Sequence, residues 1–132
     1  SIEGGKRPLS SMTPMLVLRD GRPYLTAGAP GGRMIMGTVM KVLHNILDLN
    51  MGIQEACAGV AVDASGDEIL VDQNLAPATL QALGEMGHTL DVRQPSFLPH
   101  LFARPTGILI DPGTGRLHGG ADPYHPGIAL GF

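Results

Sequence analysis

Two short stretches carry residue types suited to holding an anion. The first is Gly28-Ala29-Pro30-Gly31-Gly32, where an extended run gives way to a helical pattern. A glycine-rich turn at a helix start leaves backbone N–H groups without intrahelical acceptors, at the positive end of the helix dipole, with no side chains in the way. Such a turn suits a carboxylate, a phosphate or an oxyanion. It serves equally as a plain connector in which glycine supplies tight backbone geometry. The second stretch is Ser10-Ser11, in the run from Pro8 to Pro14. Proline fixes its own φ and drives the preceding residue into extended geometry, so the two hydroxyls sit on a stiff segment and can donate or accept at low ordering cost. The same serines can instead bond their own backbone in a polar loop.

The remaining polar residues form no recognisable site. His44, His88, His100, His118 and His125 have neither the spacing of a zinc helix nor a place in a Cys/His cluster, so no metal is expected. There is no Walker loop, no Gly-x-Ser-x-Gly elbow and no Rossmann fingerprint, and no cofactor is implied. Asp63, Asp67, Glu68 and Asp72 read as a solvated acidic patch, and His125 beside Tyr124 has no support as a general base. Cys57 lies among small residues, in Ala56-Cys57-Ala58, and reads as a buried, inert thiol. On its own residues the chain presents an anion-binding turn and a hydroxyl pair, without a convincing nucleophile.

The elements that position these groups follow from periodicity and turn chemistry. Met15-Leu16-Val17-Leu18 and Tyr24-Leu25-Thr26-Ala27 flank Asp20-Gly21, a strong hairpin signal, and the near-continuous apolar run predicts burial of the first strand on both faces. Residues 34–49 carry Ile35, Val39, Val42, Leu43, Ile46 and Leu47 on one stripe and Thr38, Lys41, Asn45 and Asp48 on the other. This predicts an amphipathic helix whose wide buried face also takes Met36, Met40 and Leu49. Asn50-Met51-Gly52 ends it, and residues 53–60 read as a shorter helix. Residues 62–67 read as a loop and 68–71 as a strand. Pro77 opens a helix with Leu80, Leu83 and Met86 as its stripe and Gly87 just past its end, and 88–92 read as a strand. Residues 95–105, with three prolines and apolar Phe97, Leu98, Leu101 and Phe102, read as a loop covering a site or an interface. Residues 106–110 and 116–118 form a last hairpin through Asp111-Pro112-Gly113-Thr114-Gly115, and the tail from Gly119 to Phe132 winds over other structure. The fold class expected is α+β or a layered α/β arrangement.

Composition narrows the partners. In 132 residues, 43% are hydrophobic and only 16% charged, which implies surface meant to pack against more protein. A net charge of −3 with no Lys/Arg cluster and no Trp argues against nucleic acid. No apolar run approaches the roughly 20 residues of a membrane span. The chain starts at Ser1 rather than Met, as a processed or truncated chain does.

Lys6-Arg7-Pro8-Leu9-Ser10-Ser11-Met12-Thr13-Pro14, followed after a hairpin by Ala29-Pro30-Gly31-Gly32, resembles the small subunit of gamma-glutamyltranspeptidases. The helix over 34–49, Asn50-Met51-Gly52-Ile53-Gln54-Glu55-Ala56 and Gly119-Gly120-Ala121-Asp122-Pro123 extend the likeness over nearly the whole chain. The resemblance implies that residues 1–132 are the C-terminal part of a small subunit, without separate domains, within an αββα four-layer N-terminal-nucleophile hydrolase fold. It implies a self-cleaving precursor whose newly exposed Thr attacks the gamma-glutamyl carbonyl of substrates such as glutathione. By the same resemblance Gly31 and Gly32 supply the oxyanion-hole amides, and Ser10 and Ser11 bind the alpha-amino and alpha-carboxylate groups. The implied partners are the large subunit, which supplies an Arg for the substrate carboxylate, and an upstream Thr-bearing segment. Without that segment the chain alone is expected to be inactive. Two stretches depart from the family pattern: Gly59-Val60-Ala61-Val62-Asp63-Ala64 replaces a Pro-Arg-hydrophobic-His run, and the 95–105 loop is unlike its counterpart. Both leave open other amides, including dicarboxylic acyl amides, acyl-beta-lactams and poly-gamma-glutamate.

Overall fold

The computed structural model describes residues 2–99 and 101–131. Strands β1 (Met15–Arg19) and β2 (Arg22–Gly28) form the expected hairpin. Asp20 and Gly21 take φ of 51° and 74°, the left-handed pair that a tight two-residue turn needs. A 3₁₀ turn, Gly32–Met34, leads into helix α1 (Ile35–Leu47), and α2 (Ile53–Ala58) follows. Next come β3 (Val62–Asp63), β4 (Ile69–Asp72), α3 (Pro77–Glu85), β5 (Leu90–Arg93), β6 (Thr106–Ile110) and β7 (Leu117–Ala121).

These strands make two sheets, a four-stranded antiparallel one in the order β1-β2-β6-β7 and a three-stranded mixed one in the order β3-β4-β5. The α+β class is as expected. Besides shifts of a residue or two, as where α2 ends at Ala58 and β5 runs Leu90–Arg93, residues 62–63, expected in a loop, form β3, and Gly119-Gly120-Ala121, expected in the tail, complete β7. Both are hairpin pairings, Val62 with Val71 and Asp63 with Leu70, and Gly119, Gly120 and Ala121 with Ile108, Gly107 and Thr106. The Gly- and Asp-rich composition of the two stretches signals turn and so hides their strand character.

Helices α1 and α2 lie on one face of the larger sheet. Leu25, Ala27, Val42, Ile46, Ile53, Ala56 and Cys57 form the core there. Gly107 and Gly120 admit α2 closely: a Cβ on Gly120 would lie 2.7 Å from the Ile53 backbone. Gln54 then clasps β7 through both Ala121 backbone groups, Nε2 to the carbonyl at 2.8 Å and N–H to Oε1 at 3.1 Å.

The opposite sheet face carries Leu16, Leu18, Ile108 and Leu117, 62%, 56%, 42% and 67% exposed. Burial of β1 on both faces is therefore not what this chain achieves alone; its helices cover one face only. The tail crosses part of the other, with Ala129 over Gly119. Between the tail and Met12-Pro14 lies an open groove of about 1300 Å³, floored by Thr26, Ile108 and Leu117.

Helix α1 buries Ile35, Val39, Val42 and Ile46 of the expected stripe, but its buried face widens toward the other flank. Thr38 and Asn45 of the polar stripe are buried and Lys41 is half-buried, while Met36, Met40, Leu47 and Leu49 are exposed. The cause is α2. Lys41 Nζ donates to the Gly59 carbonyl at 2.6 Å, and Asn45 Nδ2 donates to the Ala56 carbonyl, so the polar stripe satisfies the last turn of α2. In α3 the stripe is only half-buried at Leu80 and Leu83, and Met86 is exposed.

Candidate active site

Strand β2 ends at Gly28, and β6 begins beside it, Gly28 facing Thr106. The chain then turns through Ala29-Pro30 into Gly31, which caps the helical run with φ 151°. Gly32 follows at φ 59°, and Met34 N–H closes onto the Gly31 carbonyl at 3.2 Å. The first amides of this run have no acceptor inside the helix. Both glycines are exposed. A glycine turn from strand to helical run is thus formed where the sequence places it, at the C-terminal end of the interior strand β2.

The two glycines are demanded for different reasons. A Cβ on Gly31 would collide with Ala103, whose Cα would be only 2.6 Å away, whereas around Gly32 there is open space and only the left-handed φ selects glycine. The room at Gly31 is therefore filled by the protein itself, and not reserved for an approaching carbonyl.

Ser11 is brought to the turn. Its Oγ donates to the Gly32 carbonyl at 2.7 Å, joining residues 21 apart in sequence. Thr13 Oγ1 donates to the Ser11 carbonyl at 3.1 Å and steadies the same stretch. Ser10, the neighbouring residue, is exposed.

The back of the turn is held by a segment that sequence reasoning marked only as a covering loop. Ala103 is 2% exposed, and Arg104 N–H donates to the Pro30 carbonyl at 3.2 Å. Arg104 Nη1 reaches the Tyr124 carbonyl at 3.3 Å, and Asp122 N–H donates to the Pro105 carbonyl at 2.8 Å. Asp122 Oδ1 accepts from Tyr124 N–H at 2.8 Å. Burial nevertheless pushes the Asp122 carboxyl above its ordinary value, with that N–H, Lys41 and Arg104 opposing. Tyr124 meets Phe97 edge-on, ring centres 5.6 Å apart.

The other candidates do not converge on a site. Asp63 and Asp72 are buried, unlike the solvated patch expected of them. Asp63 Oδ2 accepts from Ser65 at 2.7 Å, and Asp72 Oδ1 accepts from the Asn74 backbone and side chain at 2.8 and 2.9 Å, so both serve their own turns. His44 pairs with Asp48 on the surface at 2.7 Å. His88 and His118 are exposed, and His100 lies outside the described residues. His125 Nδ1 is buried without a hydrogen-bond partner among the described residues. No group of three His, Cys, Asp or Glu able to hold a metal occurs among them. Cys57 is fully buried, and burial pushes its thiol up to about 11, in keeping with an inert role.

The gamma-glutamyltranspeptidase family model matches residues 1–132. The chain belongs to the gamma-glutamyltranspeptidase family. It is 32% identical over 125 residues to the glutathione hydrolase proenzyme of Escherichia coli (strain K12), covering 93% of this chain and 20% of that protein. It is 35% identical over 95 residues to the acylase ACY 1 proenzyme of Pseudomonas sp. (strain SE83), covering 72% of this chain and 17% of that protein. It superposes on a crystal structure of a mutant Helicobacter pylori gamma-glutamyltranspeptidase with a TM-score of 0.82 at 31% identity, covering 94% of this chain and 66% of the other. The chain thus spans about a fifth of the length of these curated relatives, which are proenzymes. No helix among its described residues is long and apolar enough to cross a membrane.

Proposed function

We propose that residues 1–132 are the C-terminal portion of the small subunit of a gamma-glutamyltranspeptidase-like Thr amidohydrolase, and that they supply its oxyanion hole and half of its glutamyl pocket. The observation that carries this is the Ser11 Oγ to Gly32 carbonyl bond at 2.7 Å, which ties one member of the serine pair to the glycine turn at the end of β2. The nucleophile is a Thr on an upstream segment of the same precursor. It attacks a gamma-glutamyl amide, and the tetrahedral oxyanion is met by the Gly31 and Gly32 N–H groups. The amine leaves, and water or an acceptor amine resolves the acyl-enzyme. Removing one such preorganised donor costs about 3–4 kcal/mol of transition-state stabilisation. The exposed apolar sheet face, Leu16, Leu18, Ile108 and Leu117, suits a second sheet from the rest of the precursor, as a four-layer αββα fold requires. The large subunit and the Thr segment are therefore obligatory partners, and this chain alone is inactive.

Hydrogen-bond chemistry divides the serine pair. A hydroxyl has one proton to donate, and Ser11 gives its proton to Gly32, leaving acceptor lone pairs that suit the substrate ammonium. Ser10, exposed, keeps its donor for the alpha-carboxylate. In the complete protein acting on a gamma-glutamyl anilide, Ser10→Ala should raise KM at least tenfold with kcat little changed. Ser11→Ala, which also frees the turn, should lower kcat. Unchanged kinetics in both variants contradicts the assignment.

A second reading keeps the Thr chemistry and changes the acyl group to a dicarboxylic acyl amide or acyl-beta-lactam. It is favoured by the likeness to an acylase proenzyme and by the replaced 59–64 and 95–105 segments. A panel of amides with and without the alpha-amino group separates the two: indifference to that group selects the acylase.

A further inference from the structure

We infer that Ala103 and Arg104 are positioning residues for the Gly31-Gly32 turn, setting the direction of its amides from behind. The inference deepens the function proposed above and rests on it. Four observations carry it. Ala103 is 2% exposed and occupies the space a Gly31 side chain would take. Arg104 N–H donates to the Pro30 carbonyl at 3.2 Å, continuing past Gly28 and Thr106 the bonding between β2 and β6. Pro105, also fully buried, accepts from Asp122 N–H at 2.8 Å, which fastens the segment to the end of β7. Finally, Arg104 Nη1 reaches the Tyr124 carbonyl at 3.3 Å just beyond.

The consequence is geometric. Gly31 sits at φ 151°, a region glycine crosses freely, so its own backbone does little to hold the turn in one shape. Something outside must hold it. Ser11 does so from the front through the Gly32 carbonyl, and the methyl group of Ala103 does so from the back by contact. An amide turned away from the developing oxyanion loses its stabilisation while ground-state contacts to the glutamyl end survive. The brace therefore acts on kcat.

The test uses the complete, processed protein and a gamma-glutamyl anilide. Ala103→Val adds two methyl groups against Gly31 and should lower kcat by on the order of tenfold or more with KM within about twofold, as small misplacements of catalytic groups do. Ala103→Ser keeps the Cβ contact and should restore most of the rate. Ala103→Gly removes the contact without crowding and should lower kcat about threefold or more while the protein stays folded at the assay temperature; it decides the matter should Ala103→Val fail to fold. Wild-type kcat in every Ala103 variant that folds overturns the inference. Ser10→Ala and Gly31→Ala are measured alongside. If Ser10→Ala leaves KM unchanged and Gly31→Ala leaves kcat unchanged, the proposed function fails; if they act while the Ala103 variants do not, only the brace fails.

Discussion

At Gly31 the missing side chain makes room for Ala103, while at Gly32 it permits a left-handed backbone in open space. A glycine pair read from sequence cannot reveal that division, because the colliding atom belongs to a residue 72 positions away. Cys57 is the opposite case: its small neighbours already imply burial, and it is fully buried. Lys41 favours the thiolate, but desolvation outweighs it and the thiol is pushed up to about 11. In the native complete protein at pH 8, Cys57 should resist a thiol-specific disulfide reagent and react only on unfolding. The raised value has a definite sign. The contribution of the neutral buried thiol to stability is intact below its ordinary value of 9.0 and is lost as pH rises from there through about 11. Rapid labelling of the folded protein at pH 8 would show that the α2 core opens.

At the scale of elements, the β1–β2 hairpin, α2, α3 and the β6–β7 hairpin were legible because each announces itself locally, through Asp20-Gly21, Pro77 or the Asp111 turn. In that last turn Asp111 Oδ1 accepts from Gly113 and Thr114 N–H at 2.8 and 3.2 Å. The core stripe of α1 was legible, since Ile35, Val39, Val42 and Ile46 are buried as their period predicts. Which flank widens that face was not: Thr38 and Asn45 are buried there, and Met36 and Met40 are exposed. Lys41 decides it by capping α2 at Gly59, at the expense of a partly desolvated ammonium whose pKa is lowered by burial. Lys41→Met should cost about 1 kcal/mol, because the stranded carbonyl outweighs the relief of ammonium burial. Ile46→Ala, 3% exposed in the core, should cost about 2–5 kcal/mol. Urea unfolding of the complete protein checks the order. A larger loss at Lys41 than at Ile46 would mean that the polar stripe, and not the apolar one, anchors the helix.

Across the whole molecule, the apolar composition and the uncovered sheet face tell one story. Leu16, Leu18, Ile108 and Leu117 stand exposed on the face away from α1 and α2, in a chain that spans about a fifth of its curated relatives. The two-sided apolar run of β1 is the matching sequence feature, and the proposed fold covers its outer side with a further layer. Ile108→Lys in the complete protein should sharply reduce folded yield and thermal stability, since an unpaired charge would be trapped between layers. Unchanged thermal unfolding would mark the face as free surface. The central claim, that Gly31 and Gly32 greet the oxyanion, is tested most directly by a crystal structure of the complete protein trapped with a gamma-glutamyl phosphonate as a tetrahedral adduct. The account predicts one adduct oxygen about 2.7–3.1 Å from both glycine nitrogens, with Ser11 still bonded to Gly32. An adduct whose oxygen contacts neither amide would contradict it.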